Sequence, residues 1–336
     1  MTLESASAET SATGVGPPVP FDRECAEVLA TVAEFIPPSV TPEMIPLLRQ
    51  PNPAMPAPTN DDLQRGGVFT VEERSVRGPE GAPDVSLLIC RPTSATVRVP
   101  VVYHIHSGGM IIGNNRDGML EMLDWAQDLG LSVVSVDYRL APETPHPGPI
   151  EDCYAGLQWT VENATDLGID PERIILAGAS AGGGLAAALA LLARDRGGPA
   201  LAGQVLIYPM LDDRNDSVSA RQMAGLGVWD RISNQTGWTA LLGDARGGPE
   251  VSPYAAPARA TDLSGLPPAF IDVASAETFR DEDVAYATRI WQAGGVAELH
   301  VWPGGYHAFD GFAPEARISK AATAARLHWL RRLLSP

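Results

Sequence analysis

Apolar residues recur at helical spacing from Cys25 through Val28, Leu29, Val32 and Ile36, with Asp22 placed to cap the amino end. Thr41-Pro42-Glu43 opens a second helix, which Pro46 keeps short. The run "PNPAMPAPTNDD" reads as a linker. Beyond it, "GGVFTVEERSV" and "PDVSLLICRP" read as strands joined through "RGPEGAP", an antiparallel pair. Further short apolar runs, "VPVVYHI", "LSVVSVDY", "RIILAG", "AGQVLIYP", "PPAFIDVA" and "VAELHVWP", alternate with helical segments. Most are too uniformly apolar for a sheet with one wet face. This predicts a largely parallel sheet covered by helices.

The intervening helices carry apolar stripes at Ile150, Tyr154, Leu157 and Val161, then at Val284, Ala287, Thr288 and Trp291 before Gly294-Gly295, and last at Ile318, Ala322, Ala325, Trp329 and Leu333. Residues from about 212 to 260 break the β/α rhythm, so they are expected to be an insertion standing over the sheet as part of a helical cap. The expected organisation is a disordered tail (1–20), an N-terminal helical cap segment with linker (21–66), and an α/β catalytic domain (67–336) carrying the 212–260 insertion.

Composition narrows the function classes. A formal net charge of −17 without clustered Lys and Arg argues against nucleic acid or an anionic membrane as partner. The three cysteines, Cys25, Cys90 and Cys153, show no paired spacing, which argues against a disulfide scaffold or a zinc site. The amino-terminal stretch has neither a basic nor an apolar region of the kind a signal peptide carries. No apolar run reaches the roughly 18 residues of a spanning helix, and a cytoplasmic location is expected.

The chemistry centres on "RIILAGASAGGGLAAALALLARDR". Gly178-Ala179-Ser180-Ala181-Gly182 has the G-x-S-x-G pattern of a nucleophile elbow, with an apolar strand before it and a helix after it. Small neighbours let the strand turn sharply and leave the Ser180 hydroxyl clear. The helix beyond aims N–H groups and its positive dipole end at any oxyanion formed there. A phosphate-binding turn competes, because Gly182 to Ala187 fits G-x-G-x-x-A, but that pattern starts inside the helix and lacks an acidic ribose partner. Upstream, a strand runs into His106-Ser107-Gly108-Gly109, whose glycines and free backbone N–H groups suit an oxyanion hole. His106 itself reads as structural and His104 as a core residue.

With these segments in view, the chain resembles the hormone-sensitive-lipase-like family of α/β-hydrolases, the bacterial family IV esterases. "HSGG" stands beside the family's H-G-G-G, "GASAGG" beside G-D-S-A-G-G, "ETFRDE" beside D-P-L-R-D-E, and "GGYHAF" beside G-x-x-H-x-F; "DYRLAPE" spans Asp137 to Glu143. The resemblance covers about residues 65 to 336. It implies an α/β-hydrolase fold with a mostly parallel eight-stranded sheet, Ser180 as nucleophile, Glu277 as triad acid, His307 as general base and then acid, and oxyanion N–H donors from Gly108, Gly109 and Ala181. Two departures stand out: Ser107 replaces the first glycine of the family's loop, and Glu277 replaces its usual Asp.

Among the six histidines, His307 alone follows the final strand in a Gly-rich loop, and the order Ser180, Glu277, His307 is that of the fold's triad. Asp281 matches the family's second, structural acid and is expected to cap its own helix. Asp137 and Arg139 read as an ion-pair and loop-bracing pair, and Trp229, Trp238, Met44 and Met223 as candidate pocket residues or core. The expected activity is hydrolysis of short to medium acyl esters through an acyl-enzyme, with a lactone hydrolase or a non-catalytic small-ligand receptor on the same fold as alternatives. No cofactor or metal is called for. The expected partner is a small ester or lactone; members of the family are often dimers, which makes a homodimer a further expectation.

Overall fold

The computed structural model describes residues 15–52 and 56–335. Positions 1–14 of the expected tail and 53–55 of the expected linker lie outside the described residues. An eight-stranded sheet organises the chain: β1 (Phe69–Val76), β2 (Val85–Pro92), β3 (Val99–Ile105), β4 (Ser132–Asp137), β5 (Ile169–Ala179), β6 (Gly203–Ile207), β7 (Ala269–Ala274) and β8 (Ala297–Trp302), in the order β1-β2-β4-β3-β5-β6-β7-β8. β1 and β2 pair antiparallel as expected, and β2 also meets β4 antiparallel. From β4 to β8 every pairing is parallel.

Side-chain alternation along β3 shows how the layers form. The Tyr103 hydroxyl donates to the Cys153 carbonyl at 2.9 Å in the helix Gly148–Glu162 on one face. The next residue, His104, points the other way, so near Gly118, the cap of the helix Met119–Leu129, that a methyl at 118 would lie 3.2 Å from its Nε2. Both faces of the central strands are therefore dry. The helix Ala181–Arg196 packs on β5 and β6 beside Gly148–Glu162, while Arg317–Leu334 joins Met119–Leu129 through Arg326–Glu121 and Arg331–Asp128 ion pairs.

Local expectations hold with adjustments. Asp22 Oδ1 accepts from the Glu24 and Cys25 N–H groups and caps the helix Arg23–Val32, which ends before Ile36. The end of the expected linker instead folds into the helix Asn60–Gln64, closed by a Thr59/Asp62 capping box. In the helix Arg280–Gln292 the buried face is Glu282, Asp283, Tyr286, Ala287 and Ile290, whereas Trp291 is exposed. The apolar pattern misassigned that face because two acidic residues are buried on it. Arg139 binds Asp152, not Asp137, donating from its Nε at 2.7 Å and its Nη2 at 2.6 Å.

Between β6 and β7 stand the helices Val218–Gln222 and Arg231–Leu242. The amino-terminal segment is stitched to this insertion: the Val40 N–H donates to Ser233 Oγ at 2.7 Å, Thr236 Oγ1 donates to the Val40 carbonyl at 2.8 Å, and Ser39 Oγ donates to Asp230 Oδ2 at 2.9 Å. The same segment reaches the sheet's loops, since the Asp22 N–H donates to the Gly304 carbonyl at 2.8 Å.

Candidate active site

Ser180 leaves β5 with φ 56° and ψ −122° and immediately starts the helix Ala181–Arg196. A β-carbon disfavours this backbone conformation, and the strain is held by the surroundings. The Ser180 N–H donates to the Ile207 carbonyl and its own carbonyl accepts from Met210 and Gly184, each at 2.9 Å. The glycines around it are demanded by crowding. A methyl at Gly182 would lie 2.0 Å from the Ile105 carbonyl oxygen, one at Gly178 would lie 2.3 Å from the Gly182 oxygen, and one at Gly184 would lie 2.1 Å from the Met210 oxygen. Three main-chain segments, the elbow, the end of β3 and the stretch 207–210, are thus packed against one another at Ser180.

His307 and Glu277 complete the geometry. Ser180 Oγ lies 2.9 Å from His307 Nε2, and His307 Nδ1 lies 3.0 Å from Glu277 Oε1. With a carboxylate at Nδ1 the proton belongs there, which leaves Nε2 to accept from the serine hydroxyl. Glu277 Oε2 accepts from the Ala274 N–H at 3.2 Å, so the longer arm of Glu is anchored at the end of β7. All three residues are buried. The imidazole is flanked edge to face by Tyr208 and Phe279, with centroids at 4.9 and 5.0 Å.

The loop after β3 turns through Gly108 at φ 111° and Gly109 at φ 61°. The Gly108, Gly109 and Ala181 N–H groups donate to no acceptor among the described residues. His106 braces this loop: its Nδ1 donates to the Ser107 carbonyl at 2.8 Å and its ring stacks on Tyr138 at 4.1 Å. Burial pushes its imidazole down to about 4, so it stays neutral and structural, as expected. Trp229 covers the loop from the insertion, held by the Thr278 hydroxyl, which donates to the Trp229 carbonyl at 2.9 Å. Of the other candidate pocket residues, Trp238 is fully buried in the main core, Met223 is buried and Met44 is half-buried.

Residues 102–311 match the family described by the alpha/beta hydrolase fold. The chain belongs to that family. This α/β-hydrolase is 38% identical over 270 residues to the carboxylesterase NlhH of Mycobacterium tuberculosis, covering 79% of this chain and 83% of that one. It is 35% identical over 215 residues to an arylesterase of Saccharolobus solfataricus, covering 63% and 68% of the two chains. Among solved structures it resembles a bacterial heroin esterase with a TM-score of 0.83 and 38% identity, over 94% of this chain and 98% of that one.

Asp281 does not cap its own helix in this hydrolase. Its Oδ2 accepts from the Ser219 N–H at 2.7 Å, its own N–H donates to Ser219 Oγ at 3.2 Å, and it pairs with Arg280. It therefore ties the acid-bearing loop to the helix Val218–Gln222. Residues that sequence patterns did not single out are Tyr208, Phe279 and Thr278 around His307 and Trp229. Their apolar or small character reads as ordinary core, and no local signal separates them from it.

Proposed function

We propose that Ser180, His307 and Glu277 are nucleophile, general base and orienting acid of a serine carboxylic-ester hydrolase, with Gly108, Gly109 and Ala181 as oxyanion donors. The single observation that carries the reading is the unbroken line from Ser180 Oγ through the imidazole to Glu277, at 2.9 and 3.0 Å. As the hydroxyl attacks an ester carbonyl, its proton passes to His307 Nε2 and the Nδ1–H bond to Glu277 steadies the imidazolium. Negative charge on the former carbonyl oxygen meets the free N–H groups. Collapse of the tetrahedral intermediate expels the alcohol, which takes the proton back from Nε2. Water then repeats the sequence on the acyl-enzyme and releases the acid.

The substrate class follows the esterases to which the chain is similar, and the closeness of the Trp229 ring to the site favours short to medium acyl groups. The N-terminal segment and the 212–260 insertion act together as the cap. Neither a lactone hydrolase nor a ligand receptor has an observation in its favour, and an intact acid-base pair speaks against the receptor. Among the described residues no helix is long and apolar enough to cross a membrane, and Cys25, Cys90 and Cys153 are buried free thiols, which supports a reducing, cytoplasmic setting. The homodimer reading gains support from β8, an edge strand with exposed Val301.

A panel of p-nitrophenyl acyl esters and a fluorophosphonate probe test the proposal. Hydrolysis of the shorter esters, with labelling confined to Ser180, is the expected result. Labelling of the Ser180→Ala variant, or turnover of lactones in preference to every ester, would overturn it.

A further inference from the structure

Arg326 lies fully buried in the helix Arg317–Leu334. Its Nε donates to Asp272 Oδ2 at 2.9 Å, and its Nη1 donates to Glu121 Oε1 at 3.0 Å and to Asp310 Oδ2. Collecting three acidic side chains around one guanidinium away from water is poor economy for stability, since apolar packing in such a place is often as good or better. Its connections suggest another reason. Asp272 lies on β7, the strand that leads to Glu277, and Asp310 lies in the short helix Phe309–Phe312 just after His307.

The second oxygen of Asp310, Oδ1, accepts from the Tyr208 hydroxyl at 3.0 Å. The Tyr208 ring is the one that meets His307 edge to face at 72° with centroids 4.9 Å apart. The Tyr208 N–H in turn donates to the Asp272 carbonyl at 2.6 Å, and the preceding residue, Ile207, accepts from the Ser180 N–H. A continuous set of bonds and ring contacts therefore leads from Arg326 to the imidazole and to the elbow. Glu277 holds Nδ1 by one hydrogen bond, which sets the tautomer but leaves the ring plane to be fixed by its packing. That plane decides whether Nε2 aims at Ser180 Oγ, and a misplacement of about 1 Å can cost about 10²-fold in rate.

We propose that Arg326 is a positioning residue for ester hydrolysis: it clamps Asp272 and Asp310 and, through Asp310 and Tyr208, fixes the plane of the His307 imidazole. The proposal rests on Ser180 and His307 being nucleophile and base.

The experiment is steady-state kinetics on p-nitrophenyl acetate with melting curves for Tyr208→Phe, Asp310→Asn, Arg326→Lys and the double variant Tyr208→Phe/Arg326→Lys. Tyr208→Phe should lower kcat about tenfold with KM held within about twofold and the melting temperature unchanged. Arg326→Lys should lower kcat as well, and the double variant should fall little below the worse single one, because both act along one path. Wild-type kcat in Tyr208→Phe, or losses that multiply in the double variant, would overturn the proposal. If Arg326→Lys does not fold, Tyr208→Phe and Asp310→Asn are compared through the same kcat-against-KM split, and wild-type kcat in both overturns it. Ser180→Ala separates the two levels: turnover retained there sinks the underlying site, whereas turnover lost there with wild-type kcat in Tyr208→Phe sinks the Arg326 proposal alone.

Discussion

Trp229 lies so close over Gly109 that a methyl group at position 109 would sit 2.2 Å from its Cη2 atom. The insertion thus touches the loop after β3 at a residue without a side chain. Gly237 in the helix Arg231–Leu242 approaches the same place, for a methyl there would lie 2.8 Å from the Gly109 carbonyl oxygen. Acyl selectivity should therefore be set by Trp229. Trp229→Ala is expected to raise kcat/KM for p-nitrophenyl octanoate relative to the acetate by about tenfold or more, roughly the least that one added methylene is worth in a pocket. An unchanged octanoate-to-acetate ratio would remove Trp229 from the pocket wall.

The strained backbone at Ser180 predicts that two inactivating substitutions differ in stability. Ser180→Ala should abolish ester hydrolysis, by about 10⁴-fold or more, at an unchanged melting temperature. Ser180→Gly should be equally inactive yet more stable, by about 1–3 kcal/mol, because glycine accepts φ 56° without strain. Chemical unfolding of the three proteins side by side checks this. A glycine variant no more stable than the alanine one would mean the elbow stores no strain.

Glu277 and Asp281 should separate turnover from stability. Glu277→Gln keeps the shape but loses the charge that holds the Nδ1–H tautomer, and kcat should fall by about 10⁴, as when such an acid is neutralised in serine proteases. Asp281→Asn trades the charged acceptor of the Ser219 N–H for a neutral one and loses the Arg280 pair, and should cost about 0.5–1.5 kcal/mol of stability with kcat nearly intact. Loss of turnover at unchanged stability in Asp281→Asn, with Glu277→Gln still active, would exchange their roles.

Burial holds the His104 imidazole down to about 3, against an ordinary value of 6.5, aided by neighbouring His106. The unfolded chain binds a proton that the folded one refuses, so this histidine's contribution to stability is complete above pH 6.5 and declines as pH falls toward 3. The slope is about 1.4 kcal/mol per pH unit. Glu121, pushed up to about 7 by burial, works in the opposite sense, as do Glu282 and Asp283. Comparing wild type with His104→Gln by urea unfolding at pH 6 and pH 5 cancels those groups. The stability difference should move against wild type by about 1.4 kcal/mol over that unit; a constant difference would mean His104 is charged in the fold.

Deleting residues 1–60 should expose the faces of the insertion that bind Val40 and the faces of the His307 loop that meet Phe21, whose ring contacts Tyr306 at 6.0 Å. Lower turnover, weaker acyl selectivity and aggregation on gel filtration are the expected outcome. A truncated protein as soluble and as selective as the full chain would place the segment outside the cap.

The strands and the elbow were legible in the residues because each is carried by a local pattern. Apolar runs bounded by Gly and Pro specify buried strands, and a serine between glycines at a strand-to-helix junction answers a steric demand that only small residues meet. The resemblance in "ETFRDE" and "GGYHAF" pointed to Glu277 and His307, and the structure brings both to Ser180.

Other features had no local signature. The order β2-β4-β3-β5 is set by crossover handedness and by which faces pack, not by any one strand. The buried face of Arg280–Gln292 escaped the apolar pattern because Glu282 is held by the Leu211 and Asp212 N–H groups, contacts made across about 70 positions of chain. Arg326 shares its helix face with Ala322 and Trp329, where a charge should have been conspicuous. What makes it tolerable there are Asp272, Asp310 and Glu121, which come from three other elements and meet only when the chain folds.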